Sequence, residues 1–162
     1  MSASIGALGL PLTVVNDLHN IPVPDLQVLY EYWLEKRADG EMPGRADIKP
    51  ADIISLLSRI ILIDVEYHPL RFKFRLVGTD IVCAMGEDMT GIYLDDISSK
   101  SSTLDRLNWL VENKTTYFAT AQLDWMDRDF QKYHVLGLPL GSEDGAVNMI
   151  LCGIDLYYHN EE

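Results

Sequence analysis

At 162 residues the chain suits one domain, a length at which folding buries about two-thirds of the surface exposed by the unfolded chain. Thirteen Lys and Arg against 25 Asp and Glu leave a formal charge of −12, and no basic cluster stands out that could track phosphates. Nucleic acid and an anionic membrane surface are therefore not expected partners. The stretch Met1–Leu10 has no cationic start before its apolar residues, and no apolar run has the length of a membrane span, so the chain is expected in the cytoplasm. Cys83 and Cys152 lie in apolar sequence without the paired spacing of zinc or haem-attachment motifs, and are expected as buried free thiols in a reducing compartment.

Residues 1–20 mix Gly, Ser and scattered apolar residues without a period, and residues 1–23 are expected as a flexible arm. Pro24 and Asp25 suit a first helical turn, and Leu26, Leu29, Tyr30, Trp33 and Leu34 form a stripe at helical spacing. The spacing predicts an amphipathic helix over 24–38, stopped by Gly40. That stripe must cover something apolar. Either it packs on the chain's own sheet or Leu26, Leu29, Tyr30 and Trp33 make a two-fold dimer contact, the reading carried forward as a homodimer interface.

Pro50 can open a short helix through Leu57. Ile60 to Tyr67 reads as a strand, apolar on both faces at first, as interior strands are. His68-Pro69 supplies a turn into Arg71–Val77, where Phe72, Phe74 and Leu76 alternate with Arg71, Lys73 and Arg75. At Gly78 the alternation stops. Thr79 can cap a short helix carrying Ile81, Val82 and Met85, Gly86 can end it, and Thr90-Gly91 re-aims the chain toward Tyr93-Leu94. Ser102 precedes a longer helix ending near Lys114, and Asp105 sits at capping-box spacing. Tyr117–Trp125, Gln131–Leu140 and Ala146–Tyr157 read as three more strands, with Ser142-Glu-Asp-Gly145 as a tight turn and 158–162 as a tail. The last strand is again apolar on both faces.

The run Arg75-Leu-Val-Gly-Thr, followed by Gly86-Glu-Asp-Met-Thr-Gly91, resembles the PAS superfamily of sensory domains, and more narrowly a bacterial family of stand-alone PAS-like proteins of unknown function. Met42 to Ile53, Ile61 to Val65, and Leu138-Pro-Leu140 before Asp144-Gly145 are similar to that family too, so the resemblance spans roughly 24–157. It implies one α+β domain over 24–157: a five-stranded antiparallel sheet in the order 2-1-5-4-3, with helices on one face and the N-terminal helix outside. That order places the two strands with apolar runs on both faces at the centre, where their composition also puts them.

Cofactor-binding members need particular residues. A haem sensor needs an axial ligand, and none of His19, His68, His134 and His159 falls in the long helix that carries it in typical haem PAS domains. Cys83, in Ile-Val-Cys-Ala-Met, lacks the surroundings of a flavin-adduct cysteine. Asp95-Asp96 and Glu87-Asp88 are adjacent carboxylates, read as caps and surface charge, and there is no zinc-protease, phosphate-loop or nucleophile-elbow motif. Asp124, Asp127 and Asp129 lack the Gly and closing Glu of a calcium loop. No cofactor, no metal and no enzymatic activity are expected.

A strand that breaks into short helices over its own sheet encloses a small volume, where small ligands bind. Candidate walls are Phe74, Leu76, Cys83, Met85, Met89, Tyr93, Trp109, Met149 and Leu151, each of which could equally be plain core, with Tyr93, Trp109 and His134 as polar anchors. Arg75 is read as a surface or interface ion-pair residue. These residues point to a sensory or regulatory domain that binds a small organic ligand and signals to a separate partner protein, since no output segment follows Tyr157. The alternative is a structural dimerisation or adaptor module with no ligand.

Overall fold

The structure, a computed structural model, describes residues 12–37, 40, 42–97, 102–122 and 131–158. Its frame is a six-stranded antiparallel sheet built from β1 (Thr13–Val14), β2 (Ile60–Glu66), β3 (Arg71–Val77), β4 (Tyr117–Gln122), β5 (Gln131–Gly141) and β6 (Val147–Tyr158). The spatial order is β1-β4-β5-β6-β2-β3. Strands β2 to β6 thus stand in the expected order, with the two largely apolar strands β2 and β6 side by side inside the sheet.

The addition is β1, which pairs Thr13 with Phe118 and Val14 with Tyr117 at the β4 edge. The expected loose arm over residues 1–23 is therefore corrected from Leu12 onward: Leu12, Val15 and Ile21 are buried, and the Val15 N–H donates to the Thr116 carbonyl. Two residues of strand are too short for alternation to show. Residues 1–11 and 159–162 lie outside the described residues, as do Asp124, Asp127 and Asp129.

Helices cover both faces of the sheet, not one. On the first face lie α2 (Thr79–Met85), α3 (Leu94–Ile97) and α4 (Ser102–Asn113). Their Ile81, Met85, Leu94, Leu107 and Leu110 pack with Ile63, Phe74, Tyr117, Val135 and Cys152 from the strands. On the second face lie α1 (Pro24–Arg37) and a kinked 3-10 segment, Pro50–Arg59. Here Leu26, Leu29, Tyr30 and Trp33 pack with Phe118, Leu136, Leu138, Leu140 and Leu151. Covering both faces explains why β6 is apolar at almost every position: successive side chains enter different cores.

The proposed dimer stripe is corrected by the same packing. Leu29 is 0 % and Trp33 4 % exposed within the single chain, so this stripe has no surface to offer a second copy. Gly153 of β6 lets α1 approach closely, because a Cβ there would sit 2.6 Å from Leu29 Cδ2. Tyr32 on the helix's other side bonds Asp52 at 2.8 Å and accepts from the Lys49 N–H at 2.9 Å, tying α1 to the Pro50–Arg59 segment.

One irregularity in the sheet decides several side-chain positions. Ile63 faces Phe74 across the β2–β3 pair, but Leu62 faces Leu76, so β3 carries one extra residue, Arg75, as a bulge. A bulge shifts everything beyond it by one residue, and with a period of two that moves each following side chain to the opposite face. Arg75 itself points to solvent, 3.6 Å from Asp64, the surface ion pair expected for it.

Candidate functional site

Between the sheet and α2, α3 and α4 lies a cavity of about 50 Å³. The strands supply Ile61 and Ile63 from β2, Phe74 and Val77 from β3, Tyr117 from β4, Tyr133 and Val135 from β5, and Cys152, Ile154 and Leu156 from β6. The roof comes from Ile81 and Met85 of α2, Met89 in the following loop, Leu94 of α3, and Thr103, Arg106 and Leu107 of α4. At about 10–15 Å³ per enclosed water, it has room for a few waters or one compact organic group, not a multi-ring cofactor.

Each wall is positioned by local sequence. Gly78 ends β3 and allows the chain to turn tightly into α2, its N–H donating to the Ile60 carbonyl at 2.8 Å. A Cβ on Gly78 would stand 2.4 Å from the Ser58 carbonyl oxygen, so only glycine fits where strand, helix and the Pro50–Arg59 segment meet. Gly86 closes α2 in the left-handed conformation with φ 88°, which releases Met89 to fold back over the sheet.

Of the residues expected to line the site, Phe74, Met85 and Met89 do. Trp109 is buried in the same core layer but does not reach the cavity. Leu76, 43 % exposed, is turned to the second face by the Arg75 bulge. Met149 and Leu151 also pack on that face, in register beside Ile150 and Cys152, which point the other way. His134 pairs with Asp155 across β5 and β6, stacks on Phe118 at 5.5 Å, and has Nδ1 2.9 Å from Thr120 Oγ1. It belongs to the second face and anchors nothing in the cavity.

Cys83 is exposed, correcting the expectation of a buried thiol; with Ile81 and Met85 turned inward on one helical turn, Cys83 points away. Tyr93 stands outside the cavity. Its hydroxyl donates to Glu66 at 2.9 Å, and the Arg71 guanidinium lies 3.7 Å from its ring centroid while pairing with Asp95 at 2.9 Å. That network staples α3 to the outer edge of β3, and Asp95 acts there as the surface charge read from the sequence.

The reading of the sequence missed the cavity's polar members. Arg106 is 2 % exposed. Its Nη1 donates to Ser102 Oγ at 3.0 Å and its Nη2 to Thr103 Oγ1 at 3.3 Å, while Nε has no hydrogen-bond partner. Among the described residues no carboxylate lies within ion-pair distance of it. Burial works against its charge and the facing Tyr117 and Tyr133 phenols favour it, so the guanidinium remains a cation. Burial pushes the Tyr117 phenol up, and it pushes the Cys152 thiol up to about 12, against the pull of Arg106. Both are therefore neutral donors at ordinary pH. The signal for Arg106 was in the sequence: Thr103, Arg106, Leu107 and Leu110 follow the spacing of a buried helical stripe, and a charged residue on such a stripe is unusual.

The cavity holds no nucleophile of lowered pKa, and no cluster of His, Cys, Asp or Glu suited to a metal occurs among the described residues. No helix among them is long and apolar enough to cross a membrane.

A sequence profile described as PAS domain matches residues 22–154. Among solved structures, a sensory box sensor histidine kinase from Vibrio cholerae is similar at 14 % identity, with a TM-score of 0.47, over 67 % of this chain and 88 % of that one. No curated protein matches. The profile runs from just before α1 to Ile154 and so takes in both helix layers, β2 to β5 and most of β6: this chain belongs to the PAS domain family.

Proposed function

We propose that this chain is a regulatory PAS domain that holds a small organic ligand between its sheet and α2–α4 and reports occupancy to a separate protein, without catalysing a reaction on the ligand. The observation that supports this most is the enclosed, mostly apolar cavity with one buried cation on its wall. Pockets of this kind orient a ligand through few polar groups.

The sheet offers a route for the signal. On β6, Cys152 and Ile154 face the cavity, while Leu151 packs beneath α1 and Gly153 lies against Leu29. A ligand that prefers one position of α4 over the sheet biases that strand, and through it the seating of α1 on the other face. Because α1 keeps its stripe on the sheet, the surface that changes for a partner is its outer side and the adjoining Pro50–Arg59 segment.

A second reading, a dimerisation or adaptor module without ligand, draws support from the second face. A groove of about 510 Å³ there is bounded by Ile54, Leu57, Leu76 and Val77, larger than the cavity itself. Native mass spectrometry of protein purified from its own host, followed by denaturing extraction, separates the two. A stoichiometric organic species supports the sensor reading. Protein that arrives empty, with a cavity that no small molecule stabilises, leaves the adaptor reading in place.

A further inference from the structure

We propose that the ligand of this cavity is a small carboxylic acid bound as its anion, with the Arg106 guanidinium as its counter-charge and the apolar walls enclosing its hydrocarbon body. This rests on the ligand-binding reading above.

A guanidinium carried from water into apolar surroundings loses hydration that only a counter-ion or a full set of acceptors restores. Arg106 has neither. Its hydrogen bonds all go to neutral hydroxyls, those of Ser102 and Thr103 and the Tyr117 and Tyr133 phenols, and its buried Nε–H has no acceptor. On the same stripe as Leu107 and Leu110, an apolar side chain would pack without that cost, and the neutral hydroxyls that Arg106 meets supply it no counter-charge.

Function gives one. The planar fork of Arg matches the two oxygens of a carboxylate better than any other side chain, and desolvation strengthens that pairing. The other walls, Ile63, Phe74, Met85 and Met89, offer only hydrocarbon and thioether surface. They suit an apolar body and leave Arg106 as the cation for the head. A doubly charged phosphate would keep one charge that Arg106 alone does not balance, and a neutral amide or alcohol would leave the cation unbalanced. The cavity volume restricts the body to a branched short chain or a single ring.

The test uses the full chain and two matched pairs of probes: benzoate with benzamide, and isovalerate with isovaleramide. Calorimetric titration and thermal shift are run on wild type, Arg106→Met and Arg106→Lys. At least one acid is expected to bind wild type about tenfold or more tighter than its amide, the gain typical of a charge-assisted bond. Arg106→Met is expected to lose that preference while keeping its circular dichroism spectrum and an equal or higher melting temperature, because the buried charge is gone. Arg106→Lys, which keeps the charge without the fork, is expected to bind the acid about tenfold more weakly than wild type and reads the same point should Arg106→Met fail to fold.

Amides that bind as well as their acids would overturn the carboxylate inference and leave the ligand-binding reading standing. So would a neutral compound recovered from the host-purified protein. No binding by any probe, with nothing recovered on extraction, would overturn both. A melting temperature that drops sharply in both variants, with acid and amide still indistinguishable in wild type, would make Arg106 a structural brace for Tyr117 and Tyr133 and end the proposal.

Discussion

The indole N–H of Trp33 in α1 donates a 2.9 Å hydrogen bond to the carbonyl oxygen of Pro139 in β5. Strand β4 stops opposite Gly137, so the β5 residues beyond have no strand neighbour on that side. There the chain substitutes other partners: Trp33 for the Pro139 carbonyl and the Pro43 carbonyl for the Gly141 N–H. Proline is tolerated at this point in β5 because the strand has become an edge. Trp33→Phe removes the bond and leaves a buried carbonyl without a donor, a loss expected at about 1–3 kcal/mol in chemical denaturation. The solution mass of that variant, by light scattering, should equal that of wild type. A lower mass would return the α1 stripe to a subunit interface.

Two glycines should differ in what an added methyl does. At Gly78 the methyl meets the Ser58 backbone carbonyl at 2.4 Å, whereas at Gly153 it meets the ends of the Leu29 and Leu26 side chains at 2.6 and 2.9 Å. Side-chain ends can rotate, but a backbone at the junction of β3, α2 and the Pro50–Arg59 segment cannot move without carrying those elements along. Gly78→Ala is therefore expected to cost more than Gly153→Ala, which falls near the usual overpacking range of about 1–3 kcal/mol. Thermal melts of the two variants rank them directly, and the reverse order would show the junction to be softer than the α1 contact.

The two thiols lie in opposite environments. Cys83 is exposed on α2, while Cys152 faces the cavity with its thiol pushed up to about 12 by burial. Since the thiolate is the reacting species, a maleimide at neutral pH should add once to the folded protein, at Cys83, and a second time only in denaturant. Intact mass gives the count and peptide mapping the site. Prompt labelling of Cys152 in native protein would mean that α2–α4 open readily over the sheet. A bound ligand should slow any such labelling and leave the Cys83 rate untouched.

Burial lowers the pKa of His134 from its usual 6.5, with Asp155 acting in the opposite direction. A histidine whose folded value is depressed binds fewer protons folded than unfolded near and just below pH 6.5, so stability falls as pH drops through that window. The loss levels off once the folded form protonates as well. Comparing His134→Gln with wild type isolates this from the carboxylates: the stability difference between the two should narrow in the variant's favour between neutral pH and about pH 5. A difference that stays flat with pH would show His134 to be solvated in the folded protein.

Much of the fold was readable because each element carries its own period. The α1 stripe, the Phe72–Phe74 alternation, the capped α2 and the turn at Ser142–Gly145 are short-range patterns, and all were placed within a few residues of where they stand. The site was less readable. Only Phe74, Met85 and Met89 of its expected walls are walls, because Met149 and Leu151 sit on a strand that is apolar on both faces, where alternation says nothing about which face is which. Leu76 was lost to a single-residue bulge, and Arg106 was passed over although its place on an apolar stripe marked it.

By itself, then, the sequence determined the order and kind of the elements, since helix and strand periods arise from neighbours a few residues apart. The tertiary structure alone decided which core each side chain enters. It laid α1 across the second face and made β6 apolar on both sides, and through the extra residue at Arg75 it exchanged the faces of Leu76 and Val77. It also closed α4 over the sheet with Arg106 inside. Those outcomes depend on strand register and layer packing between residues far apart in the chain, where a shift of one position inverts every side chain beyond it.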